Sequence, residues 1–87
     1  MNRKKTMNHP IEQLEQIMTK LRDPEGGCPW DLKQNFETIV PHTIEETYEV
    51  VDALHNKAWP NLQEELGDLL FQVIFYSQLA KEQGLFE

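Results

Sequence analysis

Six acidic residues in two short runs carry the chemistry this sequence could perform: Glu45, Glu46, Glu49 and Asp52 in the first, Glu65 and Asp68 in the second. On a helical wheel at about 100° per residue the first four carboxylates share an arc of roughly 120°. A solvated helix face would look similar, but such faces usually interleave Lys or Arg at i+4, and no base lies between Gln34 and Lys57. Like charges at i and i+4, as at Glu45 and Glu49, oppose helix formation by ~0.2–0.5 kcal/mol. Something outside the helix should offset that repulsion. Opposite the acids lies an apolar arc of Ile44, Tyr48, Val50, Val51 and Leu54, the face expected to pack inward.

The second run is more pointed. Apolar side chains (Leu66, Leu69, Leu70, Phe71, Ile74, Phe75, Leu79) surround the helix axis, which predicts burial on most sides. Glu65, Asp68 and Gln72 interrupt the ring on one face. Dipole compensation in a first turn accounts for Glu64 and partly for Glu65. It serves less well for Asp68, which is expected among Leu66, Phe71 and Phe75. A buried carboxylate without a partner is unfavourable, and a divalent cation is the natural partner. All-oxygen ligands without cysteine favour Mg²⁺, Mn²⁺ or Ca²⁺ over zinc, and Mg²⁺ is usually completed by substrate phosphates.

Helical periodicity and caps set out the elements that must hold these groups. Ile11, Leu14, Ile17, Met18 and Leu21 predict a first helix over 11–22, followed by a Pro/Gly loop over 23–29. A short helical turn is expected around 31–36. Thr43 with Glu46, and Asn61 with Glu64, match capping boxes and predict main helices over 44–55 and 62–82, the last stopping at Gly84. No strand pattern occurs. The expected class is an all-α bundle of three main helices, as one domain over 11–87 preceded by a loose polar arm over 1–10.

The 87 residues leave room for one small domain, and a chain this short buries little surface, so self-association is a fair expectation. The whole net charge of −7 falls between Gln34 and Ala80, where eight acids face one base, Lys57. Such a chain is a poor ligand for nucleic acid or anionic membranes. No apolar run approaches a membrane span. The single cysteine, Cys28, fits a reducing cytoplasm.

Glu45-Glu46-Thr47-Tyr48-Glu49 followed by Glu65-Leu66-Gly67-Asp68 reads as EExxE, a 15-residue gap and ExxD. With LRDPEGGCPWD over 21–31 and ELGDLLFQVIFYSQLA over 65–80, the chain resembles the MazG-type all-α nucleoside triphosphate pyrophosphohydrolases over nearly its whole length. The resemblance implies a helical bundle completed as a homo-oligomer, dimer or tetramer. It implies Mg²⁺-dependent cleavage of (deoxy)nucleoside triphosphates to monophosphate and pyrophosphate, with Mn²⁺ as a substitute, in a house-cleaning role. By motif position Glu45, Glu46, Glu49, Glu65 and Asp68 would be the metal site, with Glu46 or Glu45 orienting the attacking water. Two departures stand out: Lys33 is displaced by one position from the family's lysine, and the sequence stops at Glu87 where many relatives continue into a fourth helix. A bundle of three main helices would leave Phe71, Phe75 or Phe86 for a partner subunit to cover.

Four further residues are candidates for substrate: Trp30, to stack on a base or else to plug the bundle end; Lys33 and Lys57, to reach phosphate; and Asp52, for the sugar or the metal site. Trp59, before Pro60, reads as packing. The competing reading is a non-catalytic acidic helical interaction module that binds a basic partner.

Overall fold

A computed structural model describes residues 10–86. They form four helices, α1 (Pro10–Leu21), α2 (Pro29–Leu32), α3 (Phe36–His55) and α4 (Trp59–Glu82), with no strand among the described residues. Apart from Pro10, which opens α1, the expected N-terminal arm lies outside the described residues. No helix described is long and apolar enough to cross a membrane. The chain divides into two compact units, residues 1–33 and 34–87.

In the first unit α1 keeps its predicted span to within a residue, with Met18 buried. The loop after it folds back tightly: the Gly27 amide donates to the Asp23 carbonyl and Cys28 to Leu21, both at 2.9 Å. A Cβ at Gly27 would come within 2.6 Å of the Asp23 carbonyl oxygen, so only glycine fits. The Arg22 guanidinium donates to the carbonyl of buried Asp31, tying the loop to α2. The predicted turn at 31–36 is instead the helix over 29–32, begun by Pro29 in its first turn.

The second unit is the α3–α4 hairpin. α3 begins eight residues before the predicted Ile44, and Thr43 is not its cap. The cap is Asn35, whose Oδ1 accepts from the Thr38 amide at 3.0 Å while Thr38 Oγ1 accepts from the Asn35 amide at 2.8 Å. Pro41 therefore sits inside the helix. With no N–H, Pro41 cannot donate to the Glu37 carbonyl, so α3 lacks that one intrahelical bond. α3 ends at a left-handed residue, Lys57 (φ 53°), beyond which Ala58 donates back to the Ala53 carbonyl at 2.9 Å. α4 starts at Trp59 with Pro60 in its first turn, so Asn61 lies within the helix and the Asn61–Glu64 capping box does not form. The predicted stop holds: Gly84 (φ 72°) is left-handed, and Leu85 donates to the Ala80 carbonyl at 2.9 Å.

The two helices meet along seams spaced alternately by three and four residues. On α3 these are Ile39, Thr43, Glu46, Val50 and Ala53; on α4 they are Leu62, Glu65, Leu69, Gln72, Tyr76 and Leu79, all buried or half-buried. The predicted inward arc of α3 is thus corrected. Ile44, Tyr48, Val51 and Leu54 are exposed, because the seam containing Glu46 takes the packed side. α4 is likewise not buried on most sides, for Leu66, Leu70 and Val73 are exposed. Of the three phenylalanines considered for a partner, Phe75 is buried, Phe71 half-buried and Phe86 exposed.

Candidate metal centre

Polar side chains fill the middle of the hairpin seam. At one end Thr43 Oγ1 and the Tyr76 hydroxyl share a hydrogen bond of 2.6 Å, and Phe36 stacks on the Tyr76 ring. Next, Gln72 Nε2 donates across the seam to the His42 carbonyl at 3.3 Å, while Gln72 Oε1 is buried with no partner. Beyond it come the carboxylates. Glu46, Glu49 and Glu65 each place one oxygen within 4.8 Å of the other two. The register explains the set. Glu46 and Glu65 occupy seam positions on facing helices, and Glu49 lies one turn on from Glu46.

The environment is what a bare cluster of acids should produce. A hydrogen bond with Glu65 pushes the Glu49 carboxyl above its ordinary range, helped by the charge of Glu65, by desolvation, and by Glu45 and Asp68. Glu65 is pushed up as well, foremost by a hydrogen bond with Glu46 and then by burial, while its bond with Glu49 works the other way. Both shifts run in the direction that crowded like charges impose, each carboxyl binding its proton more tightly than a free one. Glu46 is only 8% exposed, and its Oε2 is buried with no hydrogen-bond partner. A buried acceptor left unmade is unfavourable, and among the described residues no Lys or Arg side chain bonds to it. The donor set and the orphaned oxygen together fit a hard divalent cation.

The other expected residues separate around this core. Glu45 and Asp52 are exposed and line a cavity of about 890 Å³ along α3 that also takes in Glu49 and Glu65. Asp68 is exposed, not enclosed by the apolar ring expected for it, and stands outside the three-carboxylate cluster; its charge still acts on Glu49 and Glu65. Lys57 is exposed in the turn between the helices. Trp30 and Lys33 belong to the first compact unit, both exposed, and their expected substrate role rests on the sequence alone. Trp59 is exposed rather than packed. Sequence reading gave no role in the site to Asn56 and Asn61, which also line the cavity. The sequence pattern places Asn56 in a turn and Asn61 at a cap; the observed helix ends bring both to the same wall.

Comparison with known proteins agrees with the motif. Residues 34–87, the whole hairpin unit, match the MazG nucleotide pyrophosphohydrolase domain. The chain is 58% identical over 77 residues to a nucleoside triphosphate pyrophosphohydrolase of Escherichia coli K12, covering 88% of this chain and 29% of that protein. It is 51% identical over 76 residues to the nucleoside triphosphate pyrophosphohydrolase/pyrophosphatase MazG of Thermotoga maritima, covering 87% and 29%. A nucleoside triphosphate pyrophosphohydrolase of Mycobacterium tuberculosis is 39% identical over 66 residues, covering 76% and 19%. The chain thus spans less than a third of the length of these curated relatives. On the match of its hairpin unit, which brings together the carboxylates of Glu46, Glu49 and Glu65, the chain belongs to the MazG nucleotide pyrophosphohydrolase domain family.

Proposed function

We propose that this chain hydrolyses nucleoside triphosphates to the monophosphate and pyrophosphate, using a divalent cation, Mg²⁺ or Mn²⁺ in its place. The observation that carries the reading is the buried, unpartnered Glu46 Oε2 inside a cluster of three carboxylates from two helices. Glu46, Glu49 and Glu65 would hold the cation, with Glu45 and Asp68 near enough to complete a second position. When bound, Mg²⁺ offsets the phosphate charge and lowers the pKa of a coordinated water.

The chain's own residues then divide the work. Glu46 is committed to the cluster, whereas Glu45 lines the cavity outside it. Glu45 is therefore the better placed to orient the attacking water and take its proton as the new bond to the α-phosphorus forms. The bond from the α-phosphorus to the bridging oxygen breaks, and pyrophosphate leaves. Lys57, exposed beside cavity-lining Asn56 and Ala58, is placed to contact the bound nucleotide. Residues 11–87 act as one domain, self-associated through the exposed apolar residues of α3 and α4, in a cytoplasmic house-cleaning role that removes unwanted nucleotides.

The test is a panel of NTPs and dNTPs with Mg²⁺, resolved by product. Monophosphate and pyrophosphate in equal amounts, lost in Glu49→Gln, support the reading. Orthophosphate as product, or no turnover of any member, refutes it, and the latter favours the acidic interaction module.

A further inference from the structure

The cavity beside the carboxylates has two unlike ends, and this distinction bears on which part of a nucleotide lies where. Among the described residues its lining contains no Lys or Arg. Toward the start of α3 it is walled by Pro41, Ile44 and Tyr48; toward the hairpin turn it is walled by Asp52, Asn56 and Asn61. At that second end hydrogen-bond acceptors predominate. One N–H of Asn56 Nδ2 donates to the Asp52 carbonyl at 2.9 Å, while its Oδ1 remains to accept. Among the described residues neither the Asp52 carboxylate nor the Asn61 amide is engaged by a partner.

Spacing along α3 orders these groups. Glu49 is a cluster carboxylate; Asp52 lies about 4.5 Å further along the axis, and Asn56 about 6 Å beyond that. Phosphate, sugar and base of a nucleotide succeed one another on the same scale. A carboxylate one turn from the phosphate position meets hydroxyl donors, not more phosphate, which it would repel. An asparagine amide, donor and acceptor together, is the side chain that reads a base edge.

We propose that Asp52 and Asn56 accept hydrogen bonds from the sugar hydroxyls of the bound nucleotide and that Asn61 reads the edge of its base. This makes the turn end of the cavity the nucleoside-recognition end. The assignment rests on the nucleotide reading above, and it predicts preference for nucleotides that keep their sugar hydroxyls.

The test is equilibrium binding, so that it does not depend on turnover. With Mn²⁺ present, α,β-methylene triphosphates of a ribonucleoside and of its 2′,3′-dideoxy counterpart are titrated calorimetrically into the whole chain. The ribo analogue should bind about ten-fold more tightly, the worth of a hydroxyl hydrogen bond to a charged acceptor. That ratio should fall toward one in both Asp52→Ala and Asp52→Asn. In Asn61→Ala the order of preference among the adenine, guanine, cytosine and uracil analogues should change. Equal binding of both sugars by the wild type, a ratio kept in the Asp52 variants, or no binding of either analogue overturns the sugar assignment; an unchanged base order overturns that of Asn61. Pyrophosphate release is measured in parallel on hydrolysable substrates. Selective binding without turnover defeats the proposed hydrolysis and leaves this inference standing, whereas turnover without sugar selectivity does the reverse.

Discussion

Glu46 is held where an apolar residue would serve the metal-free hairpin better. Its Oε2 is buried without a partner in a seam that Ile39, Thr43, Val50 and Ala53 complete on α3. Glu46→Leu should therefore raise the stability of the metal-free protein, by about 1–3 kcal/mol in urea titrations with chelator present. It should also abolish the rise in melting temperature that Mg²⁺ or Mn²⁺ gives the wild type. A destabilised variant would mean that the hydrogen bond Glu46 shares with Glu65 outweighs the orphaned Oε2. Glu49 and Glu65 make a pH prediction. Both carboxyls have folded pKa values above their unfolded ones. Their contribution to metal-free stability is thus present below the unfolded pKa and lost as pH rises through the folded values. A cation competes with those same protons. Mn²⁺ affinity should climb with pH from the carboxylate range toward neutrality, with proton release seen as a binding heat that varies with the buffer's ionisation enthalpy. Affinity flat over that range would contradict the coupling of these two groups to the metal.

At the scale of the helices, the ends decide what the sequence could reveal. Gly84 and the apolar period of α1 were legible because each follows a local rule that the fold leaves in force. The caps were not, because several residues near each helix start satisfy the same pattern and only packing chooses among them. Thr43 could cap a helix, but Asn35 does so first, and Thr43 bonds Tyr76 across the seam. Spacing made a convergence of carboxylates from the two helices legible, and Glu46, Glu49 and Glu65 do come together. Which face they occupy was not, since Ile44, Tyr48, Val51 and Leu54 form the more apolar arc and yet the arc bearing Glu46 is packed. Two substitutions test the observed ends. Asn35→Ala removes the capping box and should lower stability by about 1 kcal/mol, whereas Thr43 loses no cap when mutated. Lys57 stands at φ 53°, where a Cβ is strained. Lys57→Gly should stabilise the fold by roughly 1 kcal/mol in urea titrations. The same variant should raise KM if the lysine reaches phosphate; gain in stability with KM unmoved would leave Lys57 a purely conformational residue.

For the molecule as a whole, burial and charge pull in different directions. The hairpin unit holds ten acids against two bases, a charge of −8 in a chain whose net charge is −7, which favours cation binding and opposes close approach of a second copy. Yet the same unit exposes Val51 and Leu54 on α3 and Leu66, Leu70 and Val73 on α4. Apolar residues in such number on so short a hairpin are better explained by association than by solvent contact. The three clustered carboxylates all come from one chain, so assembly and metal binding should be separable. Val51→Asp combined with Leu54→Asp is the variant that separates them, as neither residue lines the cavity or belongs to the cluster. By light scattering the wild type should weigh two or four times the 10.3 kDa of the chain and melt at a temperature that rises with protein concentration. The double variant should weigh one chain, melt lower and lose that concentration dependence, while Mn²⁺ still raises its melting temperature. A wild type that stays monomeric at every concentration would assign the exposed residues to another partner. Loss of the Mn²⁺ effect together with assembly would mean that the second copy completes the metal site.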